Sequence, residues 1–400
     1  MLEARTGNKI TCPSADAVRL YQTGVDLLLG SESGAGETLD RALALDGNFA
    51  LAAAARYCVA KDIGEPNAVR FREQALAALA VASDWERQHC ELLIGLVDQP
   101  AAVRKAVEAY VAKQPADLLI IAQLVGYLFF FDGPQKLTSV LALLESVEAA
   151  LTNDWAFLAR LGFAASEAGQ HQRGRAALER ALAIRPQSLY TIHGLAHLLH
   201  DEGAAIASAE LLQGWLQHYG SGASSGQMYG HVQWHLALAE FQVGNREAAI
   251  ERYLHYCAPA TTTCGPILTL ADCGGFLLRD YLQTGLVKPL PNDVAQHIEC
   301  VWGMMGHPFV ALHVAGLYAS AGDLDGLQRC QLEAASKPEG AHRRVSLRLI
   351  SALTDLVLGR YAQVGQTLSE LSASDRIGIG GSNVERILVD LIERHCEAQN

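Results

Sequence analysis

Two closely spaced histidine pairs are the residues of this 400-residue chain best suited to chemistry. His193 with His197 and His231 with His235 both have the spacing H-x3-H. Residues four apart are neighbours on one helix face, so each pair can address a single ion or substrate. Two such pairs on adjacent helices would offer four imidazoles, which suit Zn, Fe, Ni or Cu. Without a metal they could act as general acid and base near pH 7.

Helix pairs with a period of 34 residues would position these histidines. The segment from Trp155 to Ser188 predicts a helix, a turn at Gly169 and a second helix that Pro186 ends. Gly203 follows Gly169 at the same interval, and Gly244 follows after 41 residues, with the loop 220–226 as the insertion. This period is typical of tetratricopeptide repeats. Further glycines mark plausible turns at Gly285, Gly322 and Gly359.

The repeat register predicts which residues face the inner side of the array. We expect an all-α, right-handed superhelix in which the first helix of each pair lines a concave groove. Histidines of two consecutive first helices fall on or beside the groove-facing stripe. Later repeats add further polar groups to the same stripe. The expected groove residues are His193, His197, His200, His231, His235, Asp272, Arg279, His307 and His313.

Composition restricts the class of partner and the compartment. The net charge is −12 and no basic run occurs, so a nucleic-acid partner is not expected. The most apolar stretch, 118–131, is too short for a bilayer and predicts a buried helix. Residues 1–16 lack a secretory pattern, and the nine cysteines form no CxxC pair. We therefore expect a cytoplasmic protein with a tail at 1–16, one repeat domain at 17–400 and a glycine-rich loop at 378–383.

The chain resembles the tetratricopeptide-repeat protein 38 family over about residues 17–390. The resemblance is carried by Trp85–His89, Ala181–Pro186, Ile192–His197, His231–Leu238, Leu270–Arg279 and Gly380–Arg386. It implies a site formed by His193, His197, His231, His235, Asp272, Arg279, Asn383 and Arg386. The chain departs from the family at Gly126-Tyr127, where a His-Asp pair is expected. The resemblance implies a fold and a site, and no particular activity.

Two functions of different classes remain open. The first is an enzyme acting on a small polar molecule, with a divalent metal ion (Zn, Fe, Ni or Cu) or without one. Its candidate catalytic residues are His193, His197, His231, His235 and Asp272, the last orienting an imidazole. Its candidate ligand-binding residues are His200, Arg279, His307, His313, Asn383 and Arg386, where Arg279 or Arg386 would hold a carboxylate.

The second function is a non-catalytic scaffold that binds a peptide or partner protein in the same groove. Ionisable groups concentrate in three or four repeats instead of spreading along the array, which favours a compact pocket over a peptide groove. A third interpretation is structural, since histidines at helix interfaces can simply form a stabilising polar network. The usual enzyme motifs, among them HExxH, GxSxG and the Walker loop, are absent.

Overall fold

A computed structural model describes residues 6–399, and regular structure in that part of the chain is helical, without strands. The predicted all-α class is therefore confirmed. Of the expected tail at 1–16, residues 1–5 lie outside the described residues, and the first helix already begins at Ala15. Consecutive helices pack against their neighbours along much of the chain.

The helices of the first half of the chain are α1 Ala15–Leu29, α2 Ala35–Leu45, α3 Ala50–Asp62, α4 Val69–Ala78, α5 Asp84–Asp98, α6 Pro100–Val111, α7 Leu118–Phe131, α8 Lys136–Leu151, α9 Trp155–Glu167, α10 His171–Ile184, α11 Leu189–Asp201 and α12 Ala205–Ala223. The helices of the second half are α13 Tyr229–Gln242, α14 Arg246–Arg252, α15 Pro266–Thr284, α16 Asn292–Val301, α17 Pro308–Ser320, α18 Leu324–Ala335, α19 Ala341–Val357, α20 Tyr361–Ser369, α21 Ala373–Gly378, α22 Asn383–Arg386 and α23 Leu388–Glu397. Short helical turns lie at Leu79–Val81, Gly133–Gln135, Tyr253–Cys257 and Trp302–Met304.

The helix pair α9–α10 shows how the sequence builds one repeat. The Asp154 carboxylate caps α9 by accepting from the backbone N–H groups of Ala156 and Phe157. Gly169 makes the turn with φ of +78°, a conformation that glycine adopts without steric cost. Gly162 of α9 lies directly on α10, because a Cβ atom there would stand 2.9 Å from the Gly174 carbonyl oxygen. The predicted helix–turn–helix is present.

The other predicted turn glycines behave in the same way. All of them have positive φ, between +65° and +87°, and each follows a helix: Gly203, Gly244, Gly285, Gly322 and Gly359.

The predicted loop at 220–226 is wrong in its first half, because α12 continues to Ala223. Trp215, Gly220 and Ala223 are buried in this end of α12.

The apolar stretch of α7 has the predicted bounds and is buried along most of its length, with Gly126 and Phe131 exposed. Leu118, Ile120, Ile121 and Leu124 are almost entirely inaccessible to solvent. Among the helices in residues 6–399, none combines the length and the apolar character that a bilayer crossing requires.

Backbone contacts divide the described chain into two compact units. The first comprises residues 6–129, Leu137–Leu198 and Leu212–Tyr229, and the second comprises Phe130–Lys136, Leu199–Leu211 and residues 230–399. In the second unit, one continuous apolar core extends along the sequence from Trp234 to Cys396. The single repeat domain expected from the sequence stays a prediction.

Candidate metal centre

The first histidine pair lies on α11 and is buried. The Nε2 atoms of His193 and His197 are 2.7 Å apart. Nδ1 of His197 lies 3.2 Å from a carboxylate oxygen of Glu167, the last residue of α9. Because an ionised carboxylate only accepts, His197 donates through Nδ1 and turns the lone pair of Nε2 toward His193. Phe163 packs against both rings.

The second pair lies on α13 and has its own carboxylate. Nδ1 of His231 donates to Asp272 on α15 over 2.6 Å. The indole of Trp234 stacks on the His231 ring and donates from Nε1 to the backbone carbonyl of Asp272 over 2.9 Å. The His235 ring lies edge-on to His231, with ring centroids 4.7 Å apart. The geometry expected of Asp272, a carboxylate that orients an imidazole of the pair, is present.

Burial and mutual attraction set the electrostatics of the His231–Asp272 contact. Burial raises the pKa of Asp272 to about 6, and the attraction to His231 only partly opposes this. Burial disfavours the charged imidazole of His231, but the neighbouring carboxylate outweighs this and raises its pKa. The nearby Glu385 charge raises both pKa values. The pair therefore retains protons more readily than isolated groups would.

The four histidines form one group of potential metal ligands. One ligand atom from each imidazole lies within 4.8 Å of all the others, and all four side chains are buried. The predicted convergence of His193, His197, His231 and His235 is confirmed for these atoms, whereas their placement on a concave face stays a prediction. Four neutral imidazole nitrogens form a donor set for Zn, Cu, Fe or Ni.

The two Nε2 atoms of the first pair are at hydrogen-bond distance, 2.7 Å apart. An ion bound by both atoms would replace this hydrogen bond, because each Nε2 would then need its lone pair for the metal.

The guanidinium of Arg279 is buried and hydrogen-bonded to the backbone. Its guanidinium donates to the backbone carbonyls of Gly275 and Val384, over 2.8 and 2.5 Å, and lies over the Trp234 ring. Burial lowers its pKa to about 10, so it stays charged at neutral pH. The bond to Val384 ties α15 to the segment after the glycine-rich loop. The expected role of Arg279 in holding a substrate carboxylate stays a prediction.

The glycine-rich loop contacts the end of α11. Asn383 donates from its amide to the Asp201 carboxylate over 2.8 Å, and Arg386 donates to Asn383 and to the carbonyl of Gly381. Asp201 is the last residue of the helix that carries the first histidine pair, and His200 precedes it. The loop predicted at 378–383 is present at 379–382, because Gly378 ends α21 and Asn383 begins α22. Asn383, directly after the loop, makes the contact with that helix end.

The sequence did not single out three residues that affect the histidines, namely Glu167, Glu385 and Trp234. Glu167 could have been found as the acidic end of an apolar helix 30 residues before His197, about one repeat away. Glu385 is buried, accepts from the backbone and hydroxyl of Ser382, and its charge affects His231 and Asp272. Nothing in the sequence indicated that Trp234 would stack on His231.

The last two predicted ligand-binding histidines lie on or before α17. His313 donates from Nδ1 to the Phe309 carbonyl over 2.7 Å, and its buried Nε2 has no partner within residues 6–399. His307 precedes α17 and lies edge-on to His342, with ring centroids 5.0 Å apart. Neither of these contacts involves a member of the four-histidine group.

We expect His307 to make stability depend on pH. Burial, reinforced by the nearby His342 and Lys136, lowers its pKa to about 4, below the unfolded value near 6.5. The unfolded chain then binds more protons. The contribution of His307 to the free energy of unfolding is therefore constant above pH 7 and falls by about 3 kcal/mol as the pH drops toward 4. Urea unfolding of His307→Asn between pH 4.5 and 7.5 should show a flatter dependence. Exposed His218→Asn is the control, and equal slopes in H307N and the parent would contradict the assignment.

The fold and the site together define an all-α protein of consecutively packed helices with a buried four-histidine group. No protein-family model matches the chain, and no curated protein matches it.

Proposed function

We propose that the protein binds one divalent transition-metal ion through His193, His197, His231 and His235 and uses it to act on a small polar molecule. The observation that carries this proposal is the buried convergence of one ligand atom from each of the four imidazoles. Burying four imidazoles together is unfavourable unless something compensates them, and a shared cation does so.

The carboxylates behind the histidines support a metal more than a plain polar network. Metal-binding histidines usually donate their second ring N–H to a carboxylate, which fixes the tautomer and strengthens the ligand. Each pair has one such partner, Glu167 behind His197 and Asp272 behind His231. Two carboxylates would also balance the two positive charges of the ion.

The chemistry of such a site follows from its open positions. Four imidazoles leave one or two positions on a five- or six-coordinate ion, where a water or substrate oxygen can bind. The metal would polarise that oxygen and make a bound water more acidic. Asp272 keeps His231 oriented throughout. Without a metal, the same imidazoles would exchange protons with the substrate directly.

For the fold we propose a right-handed tetratricopeptide-like superhelix with the histidines on its concave side, as in the tetratricopeptide-repeat protein 38 family. The α9–α10 pair and the regular turn glycines support this proposal. A cytoplasmic location agrees with the free cysteines.

Metal analysis of untagged protein is the direct test. We expect about one equivalent of Fe, Ni, Cu or Zn per chain in protein purified without chelators, and a lower melting temperature after the metal is removed. The exposed-histidine variant H218Q should retain the full metal content. Metal-free protein that also fails to take up any of these four ions would favour the scaffold instead.

Removing a supporting carboxylate should weaken metal binding without abolishing it. In Glu167→Gln and Asp272→Asn the affinity is expected to fall about 10–100-fold, because the hydrogen bond that the carboxylate accepts from the ligating imidazole is weakened while the four ligands remain. Competition with a chelator measures the affinity, and the stoichiometry at saturating metal should stay at one. Unchanged affinity in both variants would show that the carboxylates do not support a metal site.

A further inference from the structure

Two buried polar atoms of the second compact unit lack a hydrogen-bond partner among the described residues. They are Oδ2 of Asp272 on α15 and Nε2 of His313 on α17. Their side chains are 0% and 1% exposed, so bulk water does not reach them. Buried polar atoms without a partner are costly and uncommon in native proteins. Both atoms therefore indicate a bound molecule that supplies the missing partners.

The tautomer of His313 makes its Nε2 atom an acceptor. Nδ1 donates to the Phe309 backbone carbonyl over 2.7 Å, and a carbonyl oxygen can only accept. Burial lowers the pKa of His313, so the ring is neutral in neutral solution and Nε2 carries a lone pair. Only a donor from a ligand can satisfy this atom.

Asp272 presents an acceptor on the neighbouring helix. Oδ1 accepts from Nδ1 of His231 over 2.6 Å, whereas Oδ2 accepts from no residue in the described part of the chain. Helices α15 and α17 touch directly two residues later, since a Cβ atom on Gly274 would stand 2.8 Å from the His313 carbonyl oxygen. Asp272 and His313 thus lie on two helices in direct contact, and one of these residues bonds to the proposed ligand His231.

Glu385 offers a third acceptor to this region. Its side chain is 5% exposed, and Ser382 donates to Oε2 from its backbone N–H and its hydroxyl, over 2.6 and 2.9 Å. Oε1 is left for another donor. Burial lowers the pKa of His313, and the negative charge of Glu385 opposes this. The same charge adds to the effect of burial in raising the pKa of Asp272, so Glu385 lies near both groups.

The charges of the site balance without a charged ligand. A divalent ion and the buried guanidinium of Arg279 would supply three positive charges, two plus one. The buried carboxylates of Glu167, Asp272 and Glu385 would supply three negative charges. Arg279 already donates to two backbone carbonyls. Because burying a further charge is costly, a neutral ligand that donates hydrogen bonds fits better than an anion or a cation.

We propose that the small polar molecule of this site is a neutral polyhydroxy compound, a sugar or polyol, whose hydroxyl groups donate to His313, Glu385 and Asp272. The inference rests on the proposed function and names its substrate class. A hydroxyl group donates one hydrogen and keeps lone pairs on its oxygen. One molecule can therefore satisfy the acceptors with its hydrogens and bind the metal through an oxygen.

Isothermal titration calorimetry of metal-loaded protein tests the ligand class with sorbitol, myo-inositol, permethylated sorbitol, succinate and putrescine. We expect at least one of the two polyols to bind at millimolar concentration. Permethylated sorbitol should not bind, because it keeps oxygens for a metal but has no hydrogen to donate. Succinate and putrescine, an anion and a cation, should bind more weakly than the polyol.

Glu385→Gln and His313→Leu change the acceptors and leave the four proposed metal ligands in place. Glutamine still supports the helix cap at Ser382, but its NH2 group replaces an acceptor with a donor. We expect each variant to bind the polyol at least about 10-fold more weakly, because a buried group loses its partner, and to keep about one equivalent of metal. The exposed-position variants E210Q and H218L are the matched controls and should behave like the parent.

Thermal unfolding checks that both variants fold, and E385Q decides alone if H313L does not. The inference is overturned if neither polyol binds, if permethylated sorbitol binds as tightly, if succinate or putrescine binds more tightly, or if E385Q keeps the affinity of the parent. Metal analysis separates the two proposals. One equivalent of metal without polyol binding contradicts only the ligand class, whereas polyol binding to protein that takes up no metal contradicts only the metal.

Discussion

Replacing His197 or His235 with glutamine is expected to lower the affinity for the metal at least about 100-fold. Losing a supporting carboxylate alone typically costs 10–100-fold, and these changes remove a ligand itself. The metal content of purified protein should fall well below one equivalent. Metal analysis and chelator competition measure both effects, with the exposed histidine variant H255Q as the control.

The same variants give opposite stability changes under the two interpretations of the cluster. If the histidines form a working site, the metal-free protein should melt at the same or a higher temperature after substitution, because buried polar groups are costly and such sites trade stability for activity. If they form a structural network, removing one leaves its partners unsatisfied and should cost about 1–3 kcal/mol. Both measurements must be made on metal-free protein.

A clear loss of stability in metal-free H197Q and H235Q, together with a parent protein that holds no metal, would contradict the metal proposal. The partner-binding scaffold would then be the better interpretation. Retained metal in both variants would instead show that fewer than four histidines bind it.

Gly162→Ala should destabilise the protein by about 2–3 kcal/mol. The added methyl would lie 2.6 Å from Cγ of Leu178, 2.9 Å from the Gly174 carbonyl and 3.0 Å from the Leu178 backbone nitrogen. Two of these atoms belong to the backbone of α10, so the helices must separate, and overpacking of this kind commonly costs 1–3 kcal/mol. Thermal or urea unfolding measures the change.

Gly214→Ala is the matched control for this prediction. Gly214 is an exposed residue within α12 where an added Cβ meets nothing within 4 Å. Alanine there should stabilise the protein by about 0.5–1 kcal/mol, because glycine has the greater entropy cost in a helix. If Gly162→Ala left stability unchanged or raised it as Gly214→Ala does, α9 and α10 would not be as closely packed at Gly162 as the distances indicate.

The sequence by itself determined the local features of this protein. Helix class, the α9–α10 pair and the turn glycines follow from periodicity and from the backbone freedom of glycine, which act over a few residues. The spacing H-x3-H placed each histidine pair on one helix face for the same reason. The buried state of α7 followed from its continuous apolar composition.

Only the tertiary structure decided how these local features combine. Glu167 and Asp272 lie 30 and 41 residues from the histidines they orient, and no local rule selects them from the chain's other carboxylates. Arg279 donates to backbone carbonyls of α15 and of the C-terminal segment, a pair of contacts that its position in the sequence did not indicate. Helix α12 continues to Ala223 through glycines that favour a loop, and Gly220 and Ala223 are buried there. These features depend on burial and on contacts between residues that are distant in the sequence. Such contacts form only when the helices pack, and their energies then exceed the local conformational preferences of the residues.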